Sequence, residues 1–304
     1  MKIYIIIIIL HSIILSNTFS TSLGPCNMHI YEGKITRIAE LINLVKIETD
    51  KLSKKLGPVD LQPFTIYITA NMDDFNKKSN GPSPEWGIAI AKKNPDRIIL
   101  KALGIANISF SRMKKVIIHE LNHIYMFRIP QYQSIPSWFK EGMAMQSANE
   151  FSLLHKIEIS QSIWRKKTIP LLRLQNISRY KYDKIKLIYG ESAAAVEALE
   201  YYYGEKIIIN IIKEMKNGYT FSKAFEKKSG ESIIDFQIKF ETYLEENYNW
   251  IFLFSTTKYI YVILPFILII GFICYRYKRK KIIAKWKIEE QLEDIEWDQK
   301  KIYN

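Results

Sequence analysis

The sequence predicts an α+β fold followed by one C-terminal transmembrane helix. Three observations predict it. Strand-type alternation occurs between residues 64 and 101, helical spacing of apolar residues dominates after residue 109, and the largely apolar run 251–275 has Lys258 as its one charged residue. A chain of 304 residues that is 48% apolar and 25% charged is neither disordered nor collagen-like.

The N-terminal 22 residues have the layout of a secretory signal peptide. A short basic start is followed by an apolar run from Ile3 to Leu15 and then by small polar residues through Ser22. An uncleaved anchor is the alternative for this segment. We expect residues 1–22 to be a signal peptide and residues 23–249 to form the exported domain.

The domain begins with a helix and a small sheet. Apolar residues at helical spacing predict a helix over Lys34–Leu56, which Gly57 and Pro58 end. Period-two alternation predicts three strands, at Phe64–Thr69, Trp86–Ala91 and Arg97–Lys101. A loop at Asn80–Pro84 precedes the last two strands, which form a hairpin through Lys92–Asp96.

The rest of the domain is predicted to be helical. Ser109–Arg128 is predicted as a helix capped by Ser109 or Ser111, and Ser137–Asn149 as the next helix after a loop at Ile129–Pro136. From Ile157 onward the pattern is mostly helical. Breaks are expected near Pro170, Gly190, Gly204, Gly218 and Gly230.

The second apolar run, 251–275, predicts a membrane span. It is long enough to cross a bilayer, and basic residues follow it directly at 276–281. The positive-inside bias then places the tail 276–304 in the cytoplasm. A buried core helix is the alternative. This reading gives a type I, single-pass protein of the cell membrane whose domain lies outside the cytoplasm.

The strongest chemical signal is the run His119–His123, which reads His-Glu-Leu-Asn-His. Histidines at i and i+4 lie on one face of a helix, so their ring nitrogens can converge on one metal ion. Glu120 lies beside them, where it could take a proton from a water bound to the metal. A pair of surface histidines is the alternative, but apolar residues surround the motif nearly all round the helix.

Glu141 is the candidate third ligand. Neither His29 nor His155 continues the motif at a short spacing, whereas Glu141 lies 18 positions after His123 on the next predicted helix. Prolines at both ends of the connecting loop would turn that helix back against the first, and Gly142 would permit close backbone packing.

The run Trp138–Ala144, which reads Trp-Phe-Lys-Glu-Gly-Met-Ala, resembles the gluzincin metallopeptidases when it follows His119–His123, in particular the peptidase-MA-like group. The resemblance covers about residues 64–246 and implies a zincin-like fold. It also implies one Zn²⁺ ion held by His119, His123 and Glu141. It implies too that the strand 86–91 is an edge that pairs with an extended peptide. An ordinary sheet strand is the alternative.

The family also has a tyrosine whose hydroxyl steadies the oxyanion. Tyr189, at the start of the run 189–195, is the matching position, with Tyr182 and the tyrosines at 201–203 as rivals. Two departures matter. The chain lacks the Gly-x-Met-Glu-Asn run of the aminopeptidase branch, and Met145 stands where the thermolysin branch has a histidine-orienting Asp.

Together these patterns predict a membrane-anchored zinc metallopeptidase, of endopeptidase type, that hydrolyses peptide or protein substrates with a zinc-activated water and Glu120 as general base. The first alternative is a catalytically silent exported binding or scaffold protein. The second is a membrane-bound signalling part that depends on its tail.

Despite the net charge of +13, no basic stripe indicates nucleic-acid binding. Two cysteines, Cys26 and Cys274, provide no disulfide framework. The sequence contains no signal of oligomeric state.

Overall fold

The structure is a computed structural model of the chain. It describes residues 15–31, 37–81, 87–101, 103–175, 182–254 and 257–302, without the side chains at 175, 182–183, 253–254, 257–263 and 293–302. The chain divides into two compact units, Met1–Asn249 and Trp250–Asn304.

The first unit contains a five-stranded mixed sheet. Its strands are β1 (Leu15–Thr21), β2 (Gly24–Ile30), β3 (Phe64–Thr69), β4 (Ala89–Lys92) and β5 (Arg97–Lys101), in the order β1-β2-β3-β5-β4. The central strands β2, β3 and β5 are parallel, and the edge strands β1 and β4 run antiparallel to their neighbours. Central strands are shielded on both faces, which explains their buried apolar side chains.

The predictions for the sheet have mixed outcomes. The strands at 64–69 and 97–101 are confirmed at those bounds. The strand predicted at 86–91 is observed only in part, as β4 at 89–92, and residue 86 lies outside the described residues. Residues 15–21 belong to β1, so the structure does not support the signal peptide predicted at 1–22 over these residues. Residues 1–14 lie outside the described part of the chain.

Ten helices of the described first unit surround this sheet. They are α1 (Ile38–Leu56), α2 (Met72–Lys78), α3 (Leu103–Ala106), α4 (Phe110–Phe127), α5 (Ser137–Ser147), α6 (Leu153–Trp164), α7 (Tyr182–Tyr203), α8 (Ile207–Lys216), α9 (Phe221–Ser229) and α10 (Ile233–Tyr248). The helices predicted at 34–56, 109–128 and 137–149 correspond to α1, α4 and α5. Helices end at or near Gly204, Gly218 and Gly230, as predicted.

Helix α4 lies at the centre of the unit. The side chain of Ser109 accepts a hydrogen bond from the backbone N–H of Arg112, which satisfies one of the unpaired donors at the start of the helix. Helix α4 packs against α1, against the strands β4 and β5, and against α5. Being covered on several sides, it is apolar nearly all round, as its sequence indicated.

Helix α5 packs closely between α4 and α7. Gly142 of α5 faces the backbone of Ser192 in α7, and a Cβ at Gly142 would collide with the Ser192 carbonyl oxygen. Trp138 and Phe139, both almost fully buried, join Phe221 and Phe236 in one aromatic cluster. These contacts fix the helix that carries Glu141.

The predicted break near Gly190 is wrong. Helix α7 continues through this residue. A Cβ at Gly190 would lie 3.2 Å from the Cβ of His155 in α6, so the glycine permits close packing of two helices and does not end one.

The second unit contains the long helix α11, Thr257–Ile302. Over the described residues, no helix combines the length and the apolar character that a membrane crossing needs. The predicted transmembrane helix at 251–275 and the single-pass type I localisation are therefore wrong. The physical reason is the length of the uncharged stretch after Lys258, residues 259–275. It is about 25 Å long and continues into the basic residues 276–281, whereas a hydrocarbon core is about 30 Å thick.

Candidate metal centre

Two histidines and one glutamate converge between α4 and α5. His119 and His123 lie one turn apart on α4, with ring centroids 5.1 Å apart. Oε2 of Glu141, on α5, is 3.3 Å from Nε2 of His119 and 3.6 Å from Nε2 of His123. The three candidate ligand atoms all lie within 4.8 Å of one another. The structure thus brings together the three residues that the sequence predicted as ligands.

This arrangement fits a metal cation. Oε2 of Glu141 is buried and has no hydrogen-bond partner among the described residues, because the two imidazoles lie near it without hydrogen-bond geometry. A buried carboxylate oxygen without a donor is costly, and a cation placed between it and the ring nitrogens would remove that cost. Two imidazole nitrogens and one carboxylate oxygen form a donor set that suits zinc and leaves a fourth position open.

The ionisation of these residues is strongly coupled. Burial lowers the pKa of His119, but the carboxylates of Glu141 and Glu150 outweigh it and raise that pKa to about 10. Burial opposes ionisation of Glu141, yet His123 and His119 hold its pKa below the usual range. Without a metal, a proton on His119 balances the carboxylate charge. A divalent cation would replace that proton, so binding should release protons.

Glu120 follows His119 in α4 but is not one of the three converging residues. It is buried between α4 and the edge strand β4, and its carboxylate accepts a hydrogen bond from the backbone N–H of Ala91. Burial raises the pKa of Glu120, although His123 and His119 act in the opposite direction.

The free edge of β4 faces the same region. The carbonyl of Ile88 accepts a hydrogen bond from the N–H of Lys101, and alternate residues of β4 pair with β5 in the same way. Ala89 and Ala91, which occupy the positions between, therefore direct their N–H and C=O groups away from β5.

A cavity of about 490 Å³ adjoins the metal centre. The segment 87–89 lines one side, Tyr189 and Lys186 of α7 line another, and His119 and Glu120 contribute to its surface. The ring of Tyr189 lies 6.3 Å from the ring of His119, in an edge-to-face arrangement.

The rival tyrosines at 201–203 are engaged elsewhere or exposed. The hydroxyl of Tyr202 donates to the carbonyl of Lys239, and that of Tyr203 donates to Glu231, while Tyr201 is 63% exposed. The side chain of Tyr182 lies outside the described residues. The structure therefore brings Tyr189 to the site, and its role remains a prediction.

Glu150 is a site residue that the sequence interpretation missed. Its Oε2 lies 2.9 Å from Nδ1 of His119. The thermolysin branch has its histidine-orienting Asp at the position of Met145, on the helix of Glu141. Glu150 instead follows the end of α5, where Asn149 has a positive φ of 50°. A lone glutamate after a helix end has no distinguishing local pattern, so only the tertiary structure reveals it.

The sequence matches the profile of the Peptidase MA superfamily over residues 46–246, about two thirds of the chain. The chain belongs to the Peptidase MA superfamily. This membership confirms the resemblance to the gluzincin metallopeptidases and supports the zincin-like fold.

The individual proteins that this chain resembles share less than 30% of its sequence. The uncharacterized protein YhcO of Bacillus subtilis (strain 168) is 28% identical over 144 residues, which are 44% of this chain and 42% of YhcO. An M1 zinc metallopeptidase from Deinococcus radiodurans is 13% identical, with a TM-score of 0.43 over 76% of this chain and 52% of that one. An aminopeptidase N family protein from Idiomarina loihiensis is 9% identical, with a TM-score of 0.48 over 73% and 46%. The chain thus spans about half the length of these proteins.

Proposed function

We propose that this superfamily member is a zinc-dependent metallopeptidase that hydrolyses peptide bonds in peptide or protein substrates. The convergence of Nε2 of His119, Nε2 of His123 and Oε2 of Glu141 carries the proposal. These three residues would hold one ion. Zinc, when bound, supplies a Lewis acid that polarises a carbonyl group and lowers the pKa of a water.

Glu120 is the proposed general base. Its carboxylate lines the same cavity as His119, and it accepts a hydrogen bond from the N–H of Ala91. It would accept a proton from the attacking water and pass it to the leaving amine. Burial supports this double role, because a raised pKa makes the protonated form accessible nearer to neutral pH.

Tyr189 is the proposed donor to the carbonyl oxygen that gains charge during attack. Its placement on the cavity wall beside His119 supports this role. Variants of this residue should lose rate with little loss of substrate affinity, because the hydrogen bond strengthens in the transition state.

We propose endopeptidase activity. The outward-facing N–H and C=O groups of Ala89 could pair with an extended substrate backbone, a mode of binding that requires no chain terminus. The chain also lacks the Gly-x-Met-Glu-Asn run that binds a free amine in the aminopeptidase branch.

We further propose that residues 23–249 carry the peptidase function, with β1 added at the edge of their sheet. The family match at 46–246 lies within this range, and the first compact unit ends at Asn249.

Glu120→Gln tests the activity. We expect the purified variant to contain as much zinc as the wild type by elemental analysis. Its hydrolysis of an unfolded protein substrate should fall by about 10²–10⁴-fold. Glu40→Gln is the matched control, because Glu40 pairs with Lys114 of α4 and touches no proposed ligand. A folded wild type without bound metal, or a Glu120→Gln variant with undiminished hydrolysis, would refute the proposal.

A further inference from the structure

His119 is held at both ring nitrogens. Nε2 faces Oε2 of Glu141 at 3.3 Å, and Nδ1 lies 2.9 Å from Oε2 of Glu150. An ionised carboxylate can only accept a hydrogen bond, so Nδ1 of His119 carries the hydrogen in its contact with Glu150. Once a metal displaces the other proton, this tautomer leaves the lone pair of Nε2 available to the proposed metal position.

Glu150 is itself fixed by an arginine. Its Oε1 accepts a hydrogen bond from Nη1 of Arg112 at 2.6 Å, and its side chain is only 6% exposed. Arg112 precedes His119 by seven residues on α4, which places both on the same face of the helix two turns apart. Both oxygens of one carboxylate therefore bind to the helix that carries the histidines.

A third residue of α4 strengthens this connection. Lys115 lies between Arg112 and His119, and its Nζ donates to the carbonyl of Asn149 at 2.8 Å. Three side chains along one face of α4 thus hold residues 149 and 150, directly after the helix that provides Glu141. The spacing between the two ligand-bearing helices is fixed close to the metal position.

We propose that Glu150 is a positioning residue for His119, and that Arg112 acts through Glu150, so that this pair sets the zinc affinity of the site. The inference rests on the proposed zinc function. An ordinary Arg–Glu pair near the surface contributes little. This one differs because the second carboxylate oxygen fixes the orientation and tautomer of a ligand. Removal of such a partner typically weakens metal binding by about 10–100-fold.

The chemistry of the carboxylate predicts a graded series of variants. Glutamine has one oxygen, so Glu150→Gln can accept from either His119 or Arg112, but not from both. We expect about tenfold weaker zinc binding for Glu150→Gln and about 100-fold for Glu150→Ala. Arg112→Met leaves the bond to His119 in place but releases its acceptor, so its effect should not exceed that of Glu150→Gln.

The experiment is a zinc titration of the full-length, metal-stripped protein against a chelator of known affinity. Glu40→Gln is the control, since it removes a carboxylate that lies 3.0 Å from Lys114 of the same helix. The decisive variant is the double mutant Glu150→Ala/Arg112→Met. If Arg112 acts only through Glu150, the double mutant should bind zinc within about twofold of Glu150→Ala.

The outcomes separate the inference from the proposed function. Zinc binding by Glu150→Ala within about threefold of a zinc-binding wild type would overturn the positioning role and leave the peptidase proposal standing. Additive losses in the double mutant would overturn the relay from Arg112. If Glu150→Ala fails to fold, Arg112→Met, whose side chain is 45% exposed, decides the question by its own affinity. A wild type that binds no zinc would overturn both proposals.

Discussion

Gly142 lies where the backbones of α5 and α7 approach closely, so its replacement tests how the helix that carries Glu141 is held. In Gly142→Ala, the added Cβ would overlap the carbonyl oxygen of Ser192 and lie 2.6 Å from Cγ2 of Val196. The valine side chain can rotate, but the backbone carbonyl cannot leave its place in α7. We therefore expect the two helices to separate.

The size of the effect follows from two opposing contributions. Overpacking costs about 1–3 kcal/mol, and a clash with backbone belongs at the upper end, about 3 kcal/mol. Alanine is favoured over glycine within a helix by about 1 kcal/mol. The net loss of about 2 kcal/mol should lower the melting temperature by about 4–8 °C for a unit of this size.

Thermal unfolding followed by circular dichroism measures this change. Gly271→Ala is the matched control, because Gly271 lies in α11 and an added Cβ would have no atom within 4 Å. The control should not lower the melting temperature. A Gly142→Ala variant that melts at or above the wild-type temperature would refute the packing argument.

Three further predictions address the core, the pH dependence and the edge strand. Trp138→Ala should cost about 3–5 kcal/mol in urea unfolding, since this ring lies in the aromatic cluster that fixes α5, and a loss below about 1 kcal/mol would contradict that role. Burial raises the pKa of Glu191 to about 8, so the folded protein keeps a proton that the unfolded chain releases near pH 4.5. The contribution of Glu191 to stability is therefore complete below pH 4.5 and is lost as pH rises toward 8, at up to about 1.4 kcal/mol per pH unit. Glu191→Gln should flatten the dependence of the free energy of unfolding in urea on pH over this range. An unchanged dependence would show that other groups cause it. Ala89→Pro removes an outward N–H without removing a hydrogen bond to β5, so hydrolysis should fall while the melting temperature changes little. Ile90→Pro removes a hydrogen bond to β5 and should reduce both hydrolysis and the melting temperature. Equal hydrolysis by Ala89→Pro and the wild type would argue against substrate pairing at this edge.

The parts of the fold that local patterns encode were predictable. The Ser109 cap and the continuous apolar periodicity define α4, and alternation defines β3 and β5. The separation of Glu141 from His123, the proline-bounded loop between them and the family resemblance together predicted that the three candidate ligands meet. In each case the determining interactions lie within one element or between adjacent helices.

The failures concern contacts that are distant in sequence. Gly190 looked like a helix break because its close neighbour, His155, is 35 residues away. Glu150 was missed because its partners, Arg112 and His119, lie on an earlier helix. The apolar run near the C-terminus was interpreted by composition alone. The two N-terminal strands were overlooked because β1 overlaps an apolar leader-like segment and β2 begins with Gly24 and Pro25.

The hydrogen bond from Ala91 to Glu120 has a consequence for recognition. The N–H of Ala91 is already occupied, so a substrate strand that pairs with β4 as proposed would find Ala89 as the available N–H of this pair. Its alignment along the sheet is thereby limited. The same bond ties Glu120, the proposed acid–base group, to the strand that would receive the backbone of a bound polypeptide, and any sliding of β4 would displace both together. Accuracy of cleavage position and timing of proton movement would then depend on one short stretch of main chain.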